Sequence, residues 1–158
     1  MTRGTSVKLE SAAFSGGRFQ ANTATGGASC KPQYYVTDHL GSVRSICDEK
    51  GEMIASNQYY PFGKKWGEAA TAISSSRNRY NGKEQQWVGA SANILDYGAR
   101  FYNADIARWI SQDPLANEYV NISPYAYCVN NPIRYIDPDG RQVGVTATIG
   151  GRDVLFIW

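Results

Sequence analysis

Two four-residue segments, Asp38-His-Leu-Gly41 and Asp48-Glu-Lys-Gly51, restrict most tightly what this chain can fold into. Each opens with Asp, whose carboxylate can accept hydrogen bonds from the backbone of a bend. Each closes with Gly, which tolerates the positive φ that other residues resist. The two start ten residues apart, the spacing of an antiparallel meander. Strand-prone segments flank them at 33–38, 42–47 and 52–60. With 11 Tyr, 5 Phe and 4 Trp in 158 residues, the chain is rich in rings that pack while still offering a polar edge. The predicted fold class is mainly β, built of antiparallel hairpins.

The remaining segments are read from their punctuation. Gly16-Gly17 and Gly26-Gly27 break the first 32 residues, where short strands are predicted at 7–10 and 17–20 around Ser15-Gly-Gly17. Pro61-Phe-Gly63 ends the meander, 68–79 reads as a polar loop, and Tyr80-Asn-Gly-Lys83 as a tight turn. Strands are expected at 94–102 and, after a bend at 104–107, at 108–111. Ser123-Pro124 predicts a short helix near 124–130, with Ser as its cap and Pro at its first position. Asn130-Asn131-Pro132 should stop it. A strand at 133–136, a turn at Asp137-Pro138-Asp139-Gly140 and a β-prone tail at 142–158 complete the pattern.

Charge and composition exclude several roles. Sixteen basic and fourteen acidic residues leave a net charge of +2, too little to make nucleic acid a natural partner. The three cysteines, Cys30, Cys47 and Cys128, show no C-x-x-C spacing, and His39 is the single histidine. Neither a metal nor a cofactor is therefore expected. No apolar run reaches the ~20 residues of a membrane helix. The start carries no apolar signal-peptide core, so export would depend on a signal elsewhere or on another machine.

Taken together, the motifs form an ordered series. Tyr35-x-x-Asp38-x-x-Gly41 resembles a YD repeat, and Tyr60-Pro-Phe-Gly63 follows it. Then come Tyr80-Asn-Gly-Lys-Glu84, Leu95-Asp-Tyr-Gly-Ala-Arg100-Phe-Tyr102 and Ala107-Arg-Trp-Ile-Ser-Gln-Asp-Pro114. Ser123-Pro-Tyr-Ala-Tyr127, Asn130-Asn-Pro132 and Asp137-Pro-Asp-Gly140 close the series. In order and spacing it resembles the Rhs-repeat-associated core domain. The resemblance assigns 33–140 to that domain, 1–32 to a weakly patterned N-terminal segment and 141–158 to a remnant of the variable tail. It implies a wall of a β-shell that encloses an effector, with this domain plugging one end. The implied partners are an upstream Rhs/YD-repeat shell, in cis or in trans, and an effector or immunity protein. The implied setting is secreted or cell-surface. The physics agrees, since an isolated piece of such a wall leaves strand edges unpaired.

In some branches of the family the domain cuts its own chain just after Asp-Pro-x-Gly, with paired carboxylates acting as general base and acid. By resemblance, Asp113 is one such carboxylate and Arg108 a nearby catalytic arginine. Asp137, Pro138, Asp139, Gly140 and Arg141 form the cleavage region. The second carboxylate is expected just after Gly82-Lys-Glu84, where Gln86 stands, and Arg141 occupies a position where relatives often carry Leu. Both departures predict impaired cleavage unless Glu84 or Asp96 substitutes. The plainer readings are that Asp113 and Asp137 open turns and that Arg100 and Arg108 anchor loop carbonyls. Tyr35, Asp38, Gly41, Asp48, Gly51 and Arg100 are read as structural motif residues. The 18 residues after Gly140 hold no His or Cys and one acid, Asp153, so no effector chemistry is expected there. The expected function is a structural end-plug without an effector. Self-cleavage after Gly140 and a glycan-binding surface module are the alternatives.

Overall fold

A computed structural model describes residues 11–22, 29–67, 76–88, 91–118, 120–149 and 152–157. Its first sheet is a five-stranded antiparallel meander in sequence order: β1 (Ser11–Phe14), β2 (Gly17–Asn22), β3 (Ser29–Thr37), β4 (Val43–Cys47) and β5 (Met53–Ser56). The two Asp-to-Gly bends join its last three strands and are bonded alike. Asp38 Oδ1 accepts the N–H groups of Leu40 and Ser42 at 3.0 and 2.9 Å. Asp48 Oδ1 accepts those of Lys50 and Glu52 at 2.9 and 3.0 Å. Gly41 and Gly51 sit at φ +78° and +83°, where a side chain would be strained. Opposed residues share a face, so Tyr35, Ile46 and Ala55 form an inward row. Val43 and Ile46 are fully buried against Tyr35. The expected strand at 17–20 falls within β2, while 7–10 lies outside the described residues.

The second sheet holds β6 (Glu84–Val88), β7 (Ser91–Asp96), β8 (Phe101–Asn103) and β9 (Arg108–Trp109), again antiparallel and in order. The strand expected over 94–102 is split here by a hairpin turn. The Gly98 N–H donates to Asp96 Oδ1 at 2.8 Å, and the Tyr97 N–H donates to the Arg100 carbonyl at 3.1 Å. The Asp-Tyr-Gly triplet supplies its own bend inside an otherwise strand-like run. The β-prone tail forms a separate hairpin, β10 (Gly144–Ile149) with β11 (Arg152–Ile157). Local pairing needs only a short loop to close. A pair of backbone bonds between Ile136 and Gly144, at 2.8 and 3.0 Å, ties this hairpin to the body.

Two further expectations are corrected. The helix near 124–130 is a turn at Ser123, whose carbonyl accepts the Ala126 N–H at 2.9 Å, followed by a single left-handed turn at Cys128–Asn130. Cys128, Val129 and Asn130 have φ values of +47°, +54° and +58°. Such values are costly for β-branched Val129. The turn accompanies complete burial of Tyr127 and Cys128, whereas Val129 stays exposed. A right-handed helix would have placed these residues on a different spiral of faces. Residues 133–136 form turns with an isolated bridge at Ile136 in place of a strand, because the Asn131 carbonyl accepts the N–H groups of Arg134 and Tyr135.

The main core is aromatic. Tyr97, Tyr102, Trp109 and Tyr127 are at most 3% exposed and meet mostly edge to face, with Tyr102 and Tyr127 stacked at 4.1 Å. Their hydroxyls are satisfied inside. Tyr97 and Tyr127 bond each other at 2.9 Å and both reach Asn81 Oδ1 at 3.1 Å. Tyr102 donates to the Phe62 carbonyl. Burial pushes the Tyr97 and Tyr127 hydroxyls well above the ordinary phenol range.

Candidate functional site: Arg100 between two aspartates

Arg100 ends the turn between β7 and β8 and points into the molecule, where it is 3% exposed. Its guanidinium lies over the Trp109 ring, 4.1 Å from the centroid. A buried guanidinium needs counter-ions, and two arrive from distant segments. One Nη2 group contacts Asp113 Oδ2 at 2.9 Å and Asp137 Oδ2 at 3.2 Å. Nε donates to the Gly140 carbonyl at 2.6 Å. Nη1 donates to the Pro124 carbonyl at 3.4 Å.

The two carboxylates differ in setting. Asp137 is fully buried, and its Oδ1 accepts the N–H groups of Asp139, Gly140 and Arg141 at 3.3, 2.6 and 3.1 Å. Burial nonetheless raises its carboxyl to about 6, against the lowering effects of the Gly140 N–H and Arg100. The Asp113 N–H donates to the Pro124 carbonyl, and its Oδ1 accepts the Leu115 N–H at 2.8 Å. Asp113 borders a cavity of about 20 Å³ shared with Ser123, Pro124 and Val143, enough for one water molecule.

The segment that follows Asp137 is gripped along its length. The Pro138 carbonyl accepts from Lys83 Nζ, the Asp139 carbonyl from the Ala99 N–H at 3.0 Å, and the Gly140 carbonyl from Arg100. Gly140 has φ +79°, and a Cβ there would stand 2.9 Å from the Arg100 nitrogen. Lys83 also lies 5.0 Å from the Tyr97 ring centroid. Its ammonium is pushed below the usual lysine range by burial, opposed by Asp137, Asp139 and Asp96.

Of the residues singled out in the sequence, Asp113 and the 137–141 segment meet here, and Arg100 joins them. Arg108 does not, since it is exposed on β9, paired with Asn103. Gln86 lies on β6 opposite Ile94. Tyr35, Asp38, Gly41, Asp48 and Gly51 belong to the first sheet and its bends. Asp137 reads in the sequence as part of the cleavage region and as a turn opener, and its place as the second carboxylate on Arg100 is what sequence reasoning misses. One signal points to it: an arginine bracketed by Tyr97, Phe101 and Tyr102 is bound for an apolar interior and must bring carboxylates with it.

The chain is 35% identical over 122 residues to salivary gland surface protein 1 of Aedes aegypti, covering 74% of this chain and 3% of that protein. It is 34% identical over 121 residues to toxin subunit YenC2 of Yersinia entomophaga, covering 68% of this chain and 11% of the subunit. No protein-family model matches it. Its fold is that of part of the TcdB2-TccC3-Cdc42 crystal structure, with a TM-score of 0.66, 27% identity, and coverage of 83% of this chain and 6% of that one. The chain is thus homologous to toxin subunits, and it spans a small fraction of the length of each protein it matches.

Proposed function

We propose that this chain is the Rhs-type core module that closes one end of a toxin shell, and that it cuts its own backbone just after Asp137-Pro-Asp-Gly140. The observation that carries the reading is Arg100, a single buried guanidinium that gathers Asp113, Asp137 and the Gly140 carbonyl. The peptide bond between Gly140 and Arg141 is touched at both ends. Its carbonyl oxygen accepts from Arg100 Nε, and its N–H donates to Asp137 Oδ1.

These contacts supply a hydrolytic sequence. Asp113 takes a proton from a water, and the water oxygen attacks the Gly140 carbonyl carbon. The oxyanion that forms is met by the Arg100 guanidinium. As the carbon–nitrogen bond breaks, a protonated Asp137 delivers its proton to the Arg141 nitrogen. One water is consumed; the new Gly140 carboxyl returns a proton to Asp137 and Asp113 passes its proton to the new amine, leaving a carboxylate on Gly140 and an ammonium on Arg141. Asp137 takes the place of the second carboxylate expected at position 86, so Gln86 no longer counts against the reaction. The exposure of Arg141 supports tolerance of a charged residue after the cut.

The test is intact-mass measurement of the purified chain over days at pH 5–8. A fragment beginning at Arg141 is expected, absent from Asp113→Asn and Asp137→Asn. A wild-type chain that stays whole would leave Arg100 as a static anchor and the module with closure alone. The shell partner and the released segment belong to the same proposal. They are tested by co-expressing the module with an upstream Rhs shell segment and asking whether the two co-purify.

A further inference from the structure

Three successive carbonyls, those of Pro138, Asp139 and Gly140, are each held by a donor from the second sheet or its flanks: Lys83 Nζ, the Ala99 N–H and the Arg100 guanidinium. Two of these donors belong to the β7–β8 turn and move with the arginine that binds the carboxylates. Lys83 is the exception. It comes from the Tyr80–Gly82 turn that leads into β6, and of the three donors it is the one that reaches Pro138. Its ammonium also faces Tyr97, whose hydroxyl belongs to the Asn81–Tyr127 hydrogen-bonded group.

From this geometry we infer that Lys83 is a positioning residue for the self-cleavage reaction, fixing the backbone register by which the bond after Gly140 is presented to Asp113. The inference rests on the cleavage reading above. Lys83 bonds the Pro138 carbonyl, two residues before the cut, and acts on the reaction through it. Without it the segment keeps the grip of Ala99 and Arg100 but loses that upstream anchor. A shift of one ångström at the reacting carbonyl is enough to cost about 100-fold in rate. The cradle contacts main-chain carbonyls, so it selects by backbone path and by the absence of a side chain at 140.

The decisive experiment times self-cleavage of the full chain by intact mass for wild type, Lys83→Met, Lys83→Gln and Lys83→Arg. Each is also melted on the uncleavable Asp113→Asn background. Lys83→Met and Lys83→Gln are expected to slow the cut at least ~10-fold or to spread it over neighbouring bonds. Lys83→Arg, which keeps a cationic donor, is expected to stay within about 3-fold of wild type. All should melt cooperatively, and the comparison uses whichever of the Met and Gln variants does so. If that folded variant cuts at the wild-type rate and bond, the inference falls while the cleavage reading stands. If Arg cuts as slowly as the removal variants, Lys83 is merely structural and the inference falls as well. An uncut wild-type chain overturns both.

Discussion

Asp137 accepts three backbone N–H groups and one guanidinium N–H, yet its burial still lifts the carboxyl to about 6. If this group is the acid that protonates the leaving amine, cleavage should slow as pH rises through about 6, because above that point Asp137 is an ion and has no proton to give. A time course by intact mass from pH 5 to 8 checks this, and a rate that climbs steadily with pH would contradict the assignment. Gly140 carries a second residue-scale prediction. At φ +79°, with the Arg100 nitrogen 2.9 Å from where a Cβ would sit, Gly140→Ala should cost about 1–2 kcal/mol from the left-handed backbone alone. It should also stop the cut by moving the carbonyl off Arg100. Urea melts and the fragment assay read the two effects separately. Asp113 is legible as a candidate because it sits in a recognisable block, whereas Arg108 stands out in the same block and lies on the surface. Aromatic neighbours surround Arg100, but Trp109 and Ile110 follow Arg108 as well, so that signal alone does not rank the two by depth. Pairing across β8 and β9 does so, by turning Trp109 inward and Arg108 outward.

The bends between β3, β4 and β5 behave as independent elements, each closed by its own aspartate. Asp48→Ala should therefore destabilise the first sheet by about 1 kcal/mol, the usual worth of such a side-chain bond. The second sheet should be unaffected, which amide exchange followed segment by segment would report. The second sheet depends on a contact that spans elements. Replacing Arg100 with Met leaves Asp113 and Asp137 without their shared counter-ion in a buried site, and about 3–5 kcal/mol should be lost. Chemical denaturation of the uncleaved variant measures it. The bends are legible in the sequence because Asp and Gly act on their immediate neighbours. The helix expected near 124–130 fails for the opposite reason. Ser123-Pro124 is a sound local start, but burying both Tyr127 and Cys128 while leaving Val129 out calls for the left-handed turn found there.

Across the whole molecule, the first sheet ends in β1 and β5, and neither edge pairs with another strand among the described residues. Its outer surface displays Tyr34, Val36 and Met53, 47%, 53% and 64% exposed. An edge beside such a face is a template for a further strand or a second copy. The Asp113→Asn chain should therefore associate with rising concentration in sedimentation velocity, and a strict monomer across the accessible range would show that it closes its own surface. The β class, the meander with its two bends and the aromatic character of the interior are all written in the order of the residues, because they follow from short-range preferences that each residue carries with it. The chemistry at Arg100 is not. Asp113 and Asp137 lie 13 and 37 residues along the chain from that arginine, and the packed aromatic core is what brings the three together. That core strips away water, so that one guanidinium must answer two carboxylates. Their convergence is a property of the interior, and the residues acquire it only on folding.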